Sequence, residues 1–189
     1  MLLMSSSKDA YHHGDLARAL EDAAMQLLER MPASEVSLRE VARAANVSHN
    51  APYHHFSDRR GLLKVLAERS MVGLNAAVRT AVERADAPDA ALRAGGAAYI
   101  RFAVEQANAF DVIYDPTVCI PGAPTATMAP LIVELEELLG EAAAAVGRGT
   151  ADEITALWGM VHGLGTLAAA GHFTLAQALS AWDSTVASS

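Results

Sequence analysis

The stretch SLREVARAANVSHNAPYHHFSDR, Ser37 to Arg59, decides how the chain is read. Ser37 followed three residues later by Glu40 is a capping box, where a hydroxyl and a carboxylate satisfy the first free N–H groups of a helix. Leu38, Val41 and Ala42 then form the inner face of a short helix. Ala45-Asn46-Val47 breaks it, and Asn tolerates the left-handed backbone that a tight inter-helix turn needs. Ser48 is expected to cap a second short helix running to about His55. Pro52 lies in its first turn or just past it, where it removes at most one helical hydrogen bond. Two short helices joined by a turn of three or four residues, preceded by another helix, form a helix-turn-helix. Ala42 is small where the two helices would cross, and Val47 plugs the space between them.

The same periodicity extends outward in both directions. Upstream, Leu16, Leu20, Ala23, Leu27 and Met31 predict a helix from about Asp15 to Arg30, stopped by Pro32. Downstream, Ser57 or Asp58 caps a long fourth helix with Leu62, Leu66, Ser70, Leu74 and Val78 on one stripe. After a turn at Pro88, a fifth helix places Leu92, Tyr99, Phe102 and Gln106 in register, and a short helical turn covers Ala109 to Tyr114. Asp115 to Pro130 holds four of the seven prolines and no charge after Asp115, which reads as a long loop. A seventh helix runs from Leu131 to Val146. Capping boxes at Thr150/Glu153 and Thr174/Gln177 start an eighth and a ninth, and Gly171 fits the C′ position between them. The expected fold is all-α, with about nine helices: a head over residues 1–60 and a larger region over residues 61–189.

Composition supports this reading. Of the 189 residues, 52% are apolar and only 5% aromatic, and alanine abundance favours helix over sheet. The single Cys119 leaves no disulfide framework and no multi-cysteine zinc site. Five of the seven histidines fall in the first 60 residues, but none forms a His-Glu-x-x-His pattern, so no metal and no cofactor are expected. The apolar N-terminal residues lack a basic flank and lead into Ser5-Ser6-Ser7-Lys8, unlike a signal peptide. Ala156 to Ala170 is too short and too interrupted to span a bilayer, so the expectation is a cytoplasmic protein without a membrane partner. The net charge of −8 is unevenly spread, since residues 61–189 carry fourteen acids against seven bases. Between Ser37 and Lys64 there are five bases against two acids, a locally positive surface suited to phosphate.

Tyr11-His12-His13-Gly14-Asp15-Leu16, Ser37 to Ala42, Asn46-Val47-Ser48, Ala51 to Arg59 and Leu62-Leu63 together resemble the DNA-binding head of the tetracycline-repressor (TetR) family. Leu157-Trp158-Gly159-Met160-Val161-His162-Gly163-Leu164 is similar to the Trp-His-Gly signature of one regulatory-domain subgroup. Asn46 stands where Gly is common, and Arg59 where Lys is usual. The resemblance implies a transcriptional regulator, most often a repressor, that binds a palindromic DNA operator as a homodimer. It also implies a C-terminal domain whose small-molecule effector changes the spacing of the two heads. A helical enzyme acting in the C-terminal cavity and a protein-binding adaptor are the alternatives.

Within that frame, His49 and Asn50 occupy the first turn of the recognition helix, where side chains reach base edges. The Tyr53 phenol and His54 are expected at phosphates, with ring packing and plain solvent exposure as their alternatives. His55 is expected to pack against the first helix, and Phe56 to be core. Ser37 and Ser48 are caps that can also meet a phosphate. Arg59 or Lys64 is expected to reach the DNA backbone. In the C-terminal region Tyr99, Phe102, Phe110, Tyr114, Met128, Trp158 and His162 are candidates for the effector cavity, each with core packing as its alternative. Gly159, Gly163 and Gly165 keep one side of the eighth helix thin. Leu175, Leu179, Trp182 and Val186 form a terminal stripe expected to join a four-helix bundle with a second copy, with packing inside its own chain as the alternative.

Overall fold

Each apolar repeat becomes a helix. The computed structural model describes the backbone of residues 7–187 and side chains from residue 16 onward. Its helices are α1 (Ser7–Leu28), α2 (Leu38–Ala44), α3 (Ala51–His55), α4 (Arg59–Glu83), α5 (Pro88–Glu105), α6 (Ala107–Ile113), α7 (Met128–Ala144), α8 (Ala151–Ala169) and α9 (Leu175–Ala187). No strand occurs among the described residues. The N-terminal apolar residues and the side chains of Tyr11, His12 and His13 lie outside what is described.

Local chemistry fixes most boundaries. The Ser37 hydroxyl accepts from the Glu40 N–H at 3.3 Å and donates to the Glu40 carboxylate at 2.9 Å. Asn46 adopts φ 53°, the left-handed turn residue that replaces Gly. Asp58 caps α4, accepting from the Gly61 N–H at 2.7 Å. The Thr150/Glu153 box is complete, and Gly171 takes φ 80° after α8.

Three boundaries differ from expectation. α1 begins at Ser7, eight residues before Asp15. Ser48 does not cap α3. Asn50 holds the cap position without a side-chain bond, Ser48 supplies only its carbonyl to the Ala51 N–H, and Pro52 falls in the first turn. The recognition helix is therefore five residues long. α7 starts at Met128 and includes Pro130 in its first turn, where the missing N–H would have no helical partner anyway. The loop thus ends at Thr127.

α4 is the axis of the molecule. Its N-terminal half carries the head, with Arg69 bonded to Asp22 at 2.6 Å and to Glu21 at 3.5 Å on α1. Its C-terminal half packs on α5, α6 and α7. The expected boundary at residue 60 thus falls in the first turn of a continuous helix. α5 also crosses α8 and α9.

Part of the α9 stripe turns inward, while Leu175 and Leu179 stay half-buried. Trp182 is fully buried and donates to the Arg93 carbonyl at 2.9 Å, and Val186 is also buried. Gly96 makes the room, since a Cβ there would lie 2.2 Å from the indole. Gly165 likewise lets α8 cross α5, with a Cβ placed 2.8 Å from that of Ala103. Gly159 and Gly163 face open space instead.

Candidate nucleic-acid interface and effector cavity

The head presents one polar face. Phe56, Ala51 and Pro52 are buried and anchor α3 against the core. This turns Ser48, His49, Asn50, Tyr53 and His54 to solvent, with Tyr53 55% exposed. Arg39 and Arg43 on α2 and Arg60 at the start of α4 are exposed as well. Ser37 is half-buried at its cap. His55 bonds Glu21 of α1 at 2.9 Å and stacks edge-on against Phe56 at 4.5 Å, as expected of a packing residue. His49 and Asn50 precede the helix rather than forming its first turn, because α3 begins at Ala51.

The two cations expected at the DNA backbone, Arg59 and Lys64, both meet other parts of the chain. Arg59 donates to the carbonyls of Ala33 at 2.7 Å, Ser34 at 2.9 Å and Val36 at 3.2 Å. It ties the α1–α2 loop to α4. Lys64 lies in the wall of a cavity in the C-terminal region.

That cavity is about 320 Å³ and lies among α4, the end of α6, the 118–125 loop, α7 and α8. Of the candidates for an effector cavity, Tyr114, Met128 and Trp158 line it. Tyr99, Phe102, Phe110 and His162 do not: the first three are buried in the core and His162 is half-buried. Phe102 is buried beside Gly73 of α4. The other three back the cavity wall. The Tyr99 hydroxyl bonds that of Tyr114 at 2.7 Å and His162 Nδ1 at 3.0 Å, and Phe110 packs on all three rings. Burial pushes both phenol pKa values well above their ordinary range and pushes that of His162 down, so the cluster is held neutral. Sequence reasoning missed Lys64, Glu68, Ile113, Cys119, Ile132 and Leu157 in the wall. Burial, then the carboxylates of Asp115 and Glu68, push the Cys119 thiol up, which keeps it protonated.

The outer side of α8 is apolar and thin. Leu167 (41% exposed) shares a side of α8 with open Gly159 and Gly163, and Phe173 (39%) follows the helix, whereas Trp158 lies on the cavity side. Among the described residues no three His, Cys, Asp or Glu side chains come together as metal ligands, and no helix is long and apolar enough to cross a membrane.

Comparison with known proteins agrees with this geometry. Residues 20–66 match the family described as bacterial regulatory proteins, tetR family, and residues 92–188 match the tetracyclin repressor-like C-terminal domain. A curated relative from Haemophilus influenzae, an uncharacterized HTH-type transcriptional regulator, is 33% identical over 97 residues. That alignment takes in 51% of this chain and 47% of the relative, so the match spans about half the relative's length. A solved protein of unknown function from Rhodococcus sp. RHA1 is 33% identical with a TM-score of 0.76, over 93% of this chain and 95% of that one. AibR, solved in complex with isovaleryl coenzyme A and operator DNA, shares the fold at 18% identity and a TM-score of 0.63, over 90% of this chain and 97% of that one.

Proposed function

The chain belongs to the TetR family of bacterial regulatory proteins, and from that premise we propose that it is a cytoplasmic, ligand-responsive transcriptional repressor that binds a palindromic operator as a homodimer. The observation that carries this reading is the exposed face at His49, Asn50, Tyr53 and His54, on a head that packs on α4, a helix that also walls the cavity. A head of this size reads few base pairs, so two heads about 34–36 Å apart are needed for a specific site. The apolar outer side of α8, with Phe173 beside α9, is the surface that a second copy would cover.

Ligand response follows from the shared helix. Leu62, Leu63 and Leu66 of α4 are buried in the core, and Lys64, Ala67, Glu68 and Met71 face the cavity. A ligand that favours one tilt of α4 sets the separation of the heads and competes with DNA. AibR, which binds both an acyl-coenzyme A and operator DNA, supports the scheme by analogy. A gel shift on DNA flanking the gene tests the reading. A retarded complex with dimer stoichiometry is expected, and no shift at low salt would refute it.

A further inference from the structure

Lys64 sits in the second turn of α4, where it lines the cavity. Most of the remaining wall is apolar, including Met71, Ile132, Leu135 and Val161. Three charged side chains reach it: Lys64, Glu68 and Glu136. Glu68 already accepts from the Thr125 hydroxyl at 2.5 Å, and Glu136 is exposed on α7. Lys64 is half-buried, and among the described residues its ammonium has no ion-pair or hydrogen-bond partner. A partly desolvated cation beside an apolar cavity gains when a ligand brings the counter-charge.

We propose that this cavity takes an amphipathic carboxylate, its apolar part among the α7 and α8 side chains and its carboxylate on Lys64. The assignment rests on the cavity being the effector site. The volume suits a compact ligand, at the low end of the 300–1,000 Å³ typical of small-molecule pockets. The position gives the anion a route to the head. Lys64 is flanked by buried Leu63 and half-buried Val65, and lies within two turns of the Asp58 cap. A carboxylate drawn to Lys64 therefore acts on the part of α4 that carries the head.

The test is calorimetric binding of decanoate, decan-1-ol and decyltrimethylammonium to the full chain, to Lys64→Met and to Lys64→Arg. Wild type should bind decanoate about tenfold more tightly than decan-1-ol, the scale of one charge-assisted hydrogen bond. Lys64→Met should lose that preference while keeping decan-1-ol binding, and Lys64→Arg should retain it. Equal binding of acid and alcohol, preference for the ammonium, a preference that survives in Lys64→Met, or no binding of any probe would each overturn the assignment. Binding of ligand-free protein to duplexes selected from random DNA is scored separately. DNA binding without a decanoate preference removes only the ligand assignment, whereas a decanoate preference without DNA binding removes only the regulator reading.

Discussion

Arg59 and Tyr53 lie six residues apart in one motif and do opposite work. Arg59 spends its donors on three loop carbonyls, so Arg59→Ala should cost about 1.5–3 kcal/mol of stability in a denaturant titration, the range for hydrogen bonds to charged groups. Tyr53 is 55% exposed, so Tyr53→Phe should leave the melting temperature unchanged while weakening DNA binding by about 1 kcal/mol. Unaltered affinity in that variant would remove its phosphate role. His162 gives a pH signature. Burial lowers its folded pKa, so the unfolded chain binds its proton more readily. Its contribution is whole above the unfolded value of about 6.5 and is lost as pH falls below it. His162→Gln should flatten that part of the stability profile, and an unchanged slope there would contradict the burial argument.

Much at this scale was legible. The left-handed Asn46, the Asp58 cap and the packing of His55 all follow from residue type and spacing. The site residues were harder because periodicity tells which side of a helix points inward, not whether core or cavity lies there. Tyr99 and Tyr114 both point inward, yet only Tyr114 reaches the void. The place of Lys64 in the cavity wall was hidden for a related reason: a basic side chain near a DNA-binding motif looks the same in sequence whether or not it also borders a cavity.

Elements interlock through a few close approaches. Trp182 occupies the space that Gly96 leaves on α5, which is why that part of the terminal stripe packs inside its own chain. Gly96→Ala should gain helix propensity yet lower stability by about 1–3 kcal/mol, because the added methyl meets the indole. A raised melting temperature would show that the ring can move aside. α6 joins the cavity to the head by a second path. Ile113, at its C-terminal end, lines the cavity, and near its N-terminus Asn108 donates to the Leu28 carbonyl of α1 at 2.9 Å. Asn108→Ala should cost about 1 kcal/mol and weaken the effect of ligand on DNA binding. Unchanged coupling would leave α4 as the only route. The boundaries of α3 and α7 escaped the sequence because proline is compatible with both a loop and a first helical turn.

At the scale of the whole molecule, the account needs two copies. The outer side of α8 supplies the apolar surface, and Leu167 is 41% exposed on it. Leu167→Glu should yield a folded monomer by light scattering with normal helical content, because that side chain contributes little to its own chain. A dimer of full affinity would place the interface elsewhere. Two joined heads also impose symmetry on the DNA. The most direct measurement is therefore selection of bound duplexes from a random pool by the full chain, followed by sequencing. The account predicts an inverted repeat with half-sites about 34–36 Å apart or a multiple of that spacing, and its loss in the monomeric variant. Enrichment of a single asymmetric site, or no enrichment at all, would contradict it.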